Sequence, residues 1–234
     1  MKKPAGNMYS FIDEIWNPVR GKCLFDCSYC YAKRWGAVNP PHLNEQVLNK
    51  DLGENKFIFI CSGCDLFAPD IPALWVNQII EKTSKYYKNR YLWHTKNPRR
   101  LTELIDPLPN DIACVTVESN RAYPAVSKAP FPFERISYIR EWHAGKMITV
   151  EPVMDFDTDI FTGMIKEAGP VQVNIGADSG GNGLPEPPAG KILELIENLK
   201  PYMTVHLKKN LIRIIGMPAY LKHALKTIEG GKGK

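Results

Sequence analysis

Residues 146–176 read KMITVEPVMDFDTDIFTGMIKEAGPVQVNIG, and this stretch decides the fold. Lys146–Glu151 is a short run rich in β-branched and apolar residues, the composition of a strand. Asp157–Ala168 carries a helical pattern and stops at Gly169-Pro170, a glycine that tolerates the left-handed conformation followed by a residue that cannot continue a helix. Val171–Gly176 is a second strand-like run. Strand, helix and strand in immediate succession describe a crossover between parallel strands. Both runs are nearly continuous rather than alternating in polarity, which suits strands covered on both faces.

The same alternation extends in both directions. Further strands are expected at Phe57–Cys61, Tyr91–Thr95, Ala113–Glu118 and Met203–Leu207, with one more near Ile12–Trp16. Helices are expected at Pro72–Tyr87, with Leu74, Ile79, Ile80 and Thr83 on one side, and at Pro98–Ile105, with Asn97 as N-cap. Two more are expected at Phe133–Ala144, ended by a left-handed Gly145, and at Pro188–Leu199, ended by Lys200-Pro201. Six or seven such units predict an α/β protein: a partial (β/α)6 TIM-like barrel, a parallel sheet with outer helices. A full eight-unit barrel typically needs about 250 residues, and a doubly wound sheet fits the same pattern. Either arrangement puts the site at the C-terminal ends of the strands.

Composition sets the outer bounds. The chain has 234 residues, 44% hydrophobic and 24% charged, which excludes a disordered or collagen-like chain. No apolar run approaches the ~18 residues of a membrane span. The N-terminus has two lysines but no continuous apolar segment, so it does not read as a signal peptide. A cytoplasmic protein with no membrane contact is expected, and six cysteines are too sparse for a disulfide scaffold. Residues 1–234 are expected to form a single domain, with a flexible basic tail at about 229–234. The net charge of +5 allows an anionic partner without requiring one.

Three of the six cysteines, Cys23, Cys27 and Cys30, crowd into the segment KCLFDCSYCY of residues 22–31. Thiolates this close can converge on one metal centre. Three is informative, because an iron–sulfur cube and structural zinc both ordinarily take four ligands. One reading is a cluster with an iron left open to an exogenous ligand. The alternative is a zinc-stabilised nucleic-acid-binding module, its metal completed by a histidine or by Cys61 or Cys64.

The CxxxCxxC spacing, with Tyr29 before the last cysteine, resembles the signature of the radical S-adenosylmethionine (SAM) enzymes. That resemblance implies that Cys23, Cys27 and Cys30 hold a [4Fe–4S] cluster whose open iron chelates SAM, and that Tyr29 packs near the adenine. It further implies reductive cleavage of SAM to a 5′-deoxyadenosyl radical, fed by an external one-electron reductant of flavodoxin or ferredoxin type. A narrower likeness follows from the strand-end phrases Ile15-Trp16-Asn17-Pro18, Ser62-Gly63-Cys64-Asp65-Leu66-Phe67, His94-Thr95-Lys96-Asn97-Pro98, Val115-Thr116-Val117-Glu118, Thr149-Val150-Glu151-Pro152 and Ile175-Gly176-Ala177-Asp178-Ser179-Gly180. In this order, from about Trp16 to Gly216, they resemble a poorly characterised phage and bacterial radical-SAM-like family likened to spore photoproduct lyase. That family commonly has a longer insert between its first two cysteines than the three residues found here.

The resemblance also implies roles for the strand ends. Ser62 and Gly63 would meet the SAM amino group, with Asp65 close by although the usual acidic motif is absent. A simple turn is the plain alternative for the Ser62-Gly63 pair. Glu118, with Ser119 and Asn120, would bind the ribose, since a carboxylate can accept from both hydroxyls. Thr95 and Lys96 would meet the SAM carboxylate or an anionic substrate. Asn174 and Asp178 flank a glycine-rich loop that could approach the adenine or the substrate. Cys61, Cys64, Lys96 and Glu151 are the candidate catalytic residues. Glu151 also reads as a buried structural acid and Cys61 and Cys64 as plain buried thiols, while Cys114, His94 and His206 read as core.

Basic residues gather at Lys96-Asn97-Pro98-Arg99-Arg100 and at Lys208-Lys209-Asn210 with Arg213, near Tyr86, Tyr87, Tyr91 and Trp93. Basic and aromatic side chains at a cavity mouth suit a nucleotide or nucleic acid, and solvated helix ends are the plainer alternative. The expected function is radical SAM chemistry on an unidentified substrate, a nucleotide or nucleic acid among the candidates, in a lyase- or DNA-repair-like reaction.

Overall fold

The computed structural model describes residues 8–36 and 39–229. The chain starts with β1 (Glu14–Trp16) and a two-stranded antiparallel ribbon, β2 (Val19–Arg20) and β3 (His42–Leu43), that frames the cysteine segment. The strands β4 (Phe57–Ile60), β5 (Arg90–Thr95), β6 (Ile112–Thr116), β7 (Gly145–Val150), β8 (Gln172–Ile175) and β9 (Thr204–Leu207) follow. The short helix α1 (Glu45–Leu48) precedes β4. The crossovers carry α2 (Ala73–Lys85), α3 (Pro98–Leu104), α4 (Pro132–Arg140), α5 (Thr158–Ala168) and α6 (Ala189–Leu199). The chain closes on α7 (Ile212–Ile215) and α8 (Met217–Glu229).

Seven strands pair in the order β1-β4-β5-β6-β7-β8-β9, every pair parallel. Apart from the excursion after β1, this is sequence order, as a partial barrel requires and a doubly wound sheet does not. The apolar runs conceal an alternation. Ile58, Ile60, Tyr91, Trp93, Ala113, Val115, Ile148, Val150, Val173 and Ile175 join the large core that includes the helices. Phe57, Phe59, Leu92, Ile112, Cys114 and Met147 form a separate inner cluster. Each full burial of such a side chain contributes about 1.5–3 kcal/mol, so both sheet faces stabilise the fold.

The inner cluster is completed by the segment before β1. Tyr9, Phe11 and Ile12 fold into the open side of the barrel. Phe11 stacks on Phe57 of β4 and meets His206 of β9 edge-on, so one side chain touches strands near opposite edges of the sheet. Tyr9 stacks on Phe59 and shares a 2.6 Å hydrogen bond with Thr149 of β7.

Several local expectations change. α4 ends at Arg140, not at Ala144, because the chain turns to bury Trp142. Gly145 begins β7, where a Cβ would lie 2.5 Å from Ile112 Cδ1, so its small size serves strand packing instead of a left-handed cap. Gly169 does cap α5 in the left-handed conformation, at φ 63°. Asn97 precedes α3, but its side chain donates to the Phe67 carbonyl instead of capping the helix. On α2 the buried positions are Val76, Ile79 and Thr83, while Leu74 is exposed. Beyond Glu229 the expected basic tail lies outside the described residues. No helix among the described residues is long and apolar enough to cross a membrane.

Candidate functional site

A cavity of about 390 Å³ opens at the C-terminal ends of the strands. Cys23, Cys27 and Cys30 all line it, together with Tyr29, Tyr31, Cys61, Ser62, Gly63, Cys64, Thr95, Lys96 and Glu151. The cysteine segment is held there by its backbone: Ser28 N–H donates to the Val126 carbonyl and Lys128 N–H to the Phe25 carbonyl, each at 2.8 Å. The Cys27 thiol lies 3.1 Å from the Ser127 hydroxyl. All three contacts tie the loop to the connection between β6 and α4.

Glu118, just past β6, is the electrostatic centre of one wall. Its Oε1 accepts from the Tyr29 hydroxyl, and its Oε2 accepts from Arg135 of α4 at 2.7 Å. Arg135 also donates to the carbonyls of Thr116 and Pro130. Lys96 Nζ lies 3.6 Å from Glu118 Oε1 and 5.4 Å from the centre of the Tyr29 ring. Burial by itself raises the Glu118 pKa, but Arg135, Lys96 and the Tyr29 hydroxyl outweigh it and hold the carboxyl at about 2. Burial pulls the Lys96 pKa down, but Cys27 and Glu118 more than offset it, so the ammonium stays charged.

Lys96 and Thr95 are fixed from behind by Asp65. That half-buried carboxylate accepts from Thr95 Oγ1, Lys96 N–H and Phe67 N–H at 2.7–3.0 Å. Asp65 is therefore engaged within the protein. Ser62 is held by Asn17, whose Oδ1 accepts from the Ser62 N–H at 2.8 Å, and its carbonyl accepts from the Tyr31 hydroxyl. A Cβ on Gly63 would meet nothing within 4 Å, so this glycine leaves an open cradle in the cavity wall. Cys61 sits at φ 54°, a conformation costly for a side chain with a Cβ, and burial pushes its thiol up to about 12. Burial, with Cys23 and Cys61 nearby, raises the Cys64 thiol as well.

The opposite wall is built on Glu151. Its Oε2 pairs with Lys208 at 2.7 Å and its Oε1 accepts from Asn210 at 3.0 Å. A Cβ on Gly176 would fall 2.7 Å from the Glu151 carboxyl carbon, so only glycine leaves room for this carboxylate. Lys208 Nζ stands 4.3 Å above the Tyr9 ring.

Four residues expected here from the sequence are placed off the cavity wall, among them Asn120, whose side chain donates to Asp157 at 3.1 Å. Glu118 lies behind Tyr29 and spends its oxygens on protein donors. Ser119 is fully buried and donates to the Asp155 carbonyl. Asn174 is fully buried within β8, its Oδ1 accepting from Gln172. The arginines of the two basic clusters are also engaged by protein partners. Arg100 donates to the carbonyls of Ala68 and Ile71, Arg99 pairs with Glu103 at 2.9 Å, and Arg213 pairs with Glu186. Tyr91 and Trp93 are fully buried and offer no stacking face. Tyr9 and Arg135 had no motif to mark them in the sequence. Tyr31, next to Cys30, could have been marked by that adjacency alone.

Three thiols in one cavity are a donor set that could hold an iron–sulfur cluster, with one further ligand from outside the protein. Three thiols line one cavity, yet among the described residues no three His, Cys, Asp or Glu side chains converge as a ready site for a single ion. The cradle over Gly63 and the Lys96 cation lie within the same cavity.

No family model matches the chain, and no curated protein does. Among solved structures, the chain shares its fold with spore photoproduct lyase. One mutant of that enzyme with a dinucleoside spore photoproduct superposes at a TM-score of 0.57 and 12% identity, over 74% of this chain and 58% of that one. A second mutant gives 0.62 and 9% identity, over 86% and 78%. A third, with bound AdoMet and the dinucleoside, gives 0.57 and 10%, over 84% and 64%. The chain thus spans little more than half the length of the first of these.

Proposed function

We propose that this chain is a radical SAM enzyme in which Cys23, Cys27 and Cys30 hold a [4Fe–4S] cluster and SAM completes the open iron. The observation that carries this reading is that the three thiols, the charged Lys96 and the open cradle at Gly63 line one cavity at the strand ends. When bound and reduced by one electron, the cluster and SAM supply the reductive cleavage of SAM and the hydrogen abstraction that follows. A flavodoxin- or ferredoxin-like protein is the proposed electron donor.

The chain's own residues have separable tasks in this reading. Lys96 offers its ammonium to the SAM carboxylate, and the Gly63 cradle admits the amino end by close backbone approach. Tyr29, fixed by Glu118, sets the wall beside the cluster loop. Glu151, Lys208, Tyr9 and Thr149 line the far side, where a substrate would lie. Cys61 and Cys64 are thiols within the same cavity, protonated at neutral pH and therefore able to keep a hydrogen atom available. A nucleotide or nucleic acid is the substrate class we favour, in keeping with the dinucleoside bound by the spore photoproduct lyase mutants.

The test is anaerobic reconstitution followed by dithionite and SAM. About four irons per chain and formation of 5′-deoxyadenosine are expected. Stoichiometric zinc without SAM cleavage would overturn the reading in favour of a zinc-stabilised binding module.

A further inference from the structure

We infer that the cavity mouth is a phosphate rim, built from Lys22, Lys33, Arg34 and Lys128, over which a single-stranded nucleic acid lies while one nucleotide enters. This rests on the proposed function for what happens inside the cavity, but the rim itself is read from charge and position.

Four cationic side chains meet there with one carboxylate. Asp26 is approached by Lys22 at 3.7 Å, Lys33 at 2.9 Å and Lys128 at 3.6 Å. One carboxylate cannot neutralise three ammonium groups, so the loop keeps a positive surplus facing solvent. Lys22, Lys33 and Arg34 all line the cavity. Lys128 belongs to the connection hydrogen-bonded to the cysteine loop. Arg34 is exposed and has no ion pair or hydrogen bond among the described residues. Its guanidinium reaches across the mouth to Gly180, where a Cβ would lie 1.9 Å from Nη2, so that glycine leaves the space it occupies.

The companion feature is aromatic. Tyr31, between Cys30 and the basic pair, is 40% exposed, and its hydroxyl is anchored on the Ser62 carbonyl. A fixed ring beside several cations is the arrangement that stacks bases while the backbone is held by charge. The acids on the other side of the mouth are engaged: Glu151 by Lys208, and Asp178 by the Gly180 N–H at 2.9 Å and the Asn182 side chain. A cavity of about 390 Å³ cannot take a duplex, so a nucleotide must be single-stranded or turned out of the stack to enter. A protein docked on the same cations would cover the route by which a substrate reaches the thiols, which favours nucleic acid over an acidic electron carrier.

The test compares Lys33→Ala/Arg34→Ala/Lys128→Ala with Lys82→Ala/Lys85→Ala/Lys88→Ala, which removes as many cations around the opposite end of β5. Binding of a labelled twelve-nucleotide single strand is titrated against salt on the protein without cofactors. The wild type should show log K falling with log salt, with a slope of about −0.7 per phosphate contacted. The rim variant should bind at least about tenfold more weakly with a shallower slope, and the distal variant should bind as wild type. Arg34→Ala alone, at an exposed position, should lower affinity without touching the fold. Equal losses in both triple variants, or no binding by wild type, would overturn the rim. Unchanged oligonucleotide binding with slower reduction by flavodoxin would make it an electron-carrier dock and also overturn it. Formation of 5′-deoxyadenosine with dithionite is measured separately, so failure of the radical reading leaves the rim result standing, and the reverse.

Discussion

Arg135 of α4 donates to Glu118 at the end of β6 across 2.7 Å, with both side chains less than 5% exposed. The partner of this carboxylate comes from the following helix, and the Tyr29 hydroxyl of the cysteine segment donates to the same carboxylate. Through Tyr29 the pair ties the cysteine loop to the barrel, and both oxygens of Glu118 accept from protein donors. Removing one member of such a buried pair leaves the other charge undercompensated, and breaking buried pairs typically costs about 3–5 kcal/mol.

Arg135→Met should therefore lower unfolding stability by up to about that amount, while Glu118→Gln/Arg135→Met should recover part of the loss because neither member of the pair is left charged without the other. Urea denaturation of the two single variants and the double variant measures the coupling. Additive losses would show that the two residues act independently.

Acid should destabilise this protein in two stages. Burial, with Lys96 and Lys208 nearby, lowers His94 from 6.5 to about 3, with Glu118 acting weakly in the other direction. A histidine neutral in the fold and protonated when unfolded costs stability as pH falls from 6.5 towards 3. Glu118, held at about 2 against a usual 4.5, adds a second loss as pH falls below that usual value. In His94→Asn the decline between pH 6.5 and 4.5 should flatten, while the decline at lower pH remains. A pH series of thermal midpoints checks both.

Cys23→Ala, Cys27→Ala and Cys30→Ala should each abolish iron incorporation while leaving far-ultraviolet circular dichroism unchanged. The loop keeps its position through Ser28 and Lys128 backbone bonds that do not involve the thiols. Iron content after anaerobic reconstitution is the readout, and retention of full iron in any of the three would remove that cysteine from the ligand set.

Gly176→Ala places a methyl group 2.7 Å from the Glu151 carboxyl carbon. Overpacking of this kind typically costs about 1–3 kcal/mol. Part of that should disappear in a Glu151→Ala background, where the obstructing carboxylate is gone. Denaturant midpoints of the two backgrounds give the comparison.

If Lys96 holds the SAM carboxylate as proposed, Lys96→Met should weaken SAM binding to the reconstituted protein by at least about tenfold, since a charge-assisted contact would be lost. Lys96 lies 3.6 Å from the buried Glu118, so Lys96→Arg separates charge from fit: it should restore part of the affinity. Equilibrium dialysis against SAM measures both variants.

The sequence by itself determined the strand and helix alternation, because periodicity and stop signals act within a few residues. The run from Lys146 to Gly176 folds as read, down to the left-handed Gly169. It likewise determined the three-cysteine segment and the placing of Thr95, Lys96 and Glu151 at strand ends, since a parallel sheet brings those ends to one side. Only the tertiary structure decided which polar side chains face the cavity and which are engaged elsewhere. Glu118 is committed to an arginine seventeen residues on, Ser119 and Asn174 are buried off the wall, and Arg100 turns to carbonyls of a neighbouring loop. Tyr9 enters the barrel from a segment with no strand or helix signal of its own. The physical reason is range. Propensity and period are local, whereas a buried charge takes whichever partner packing brings within about 3 Å, and that partner is set by strand register and helix docking.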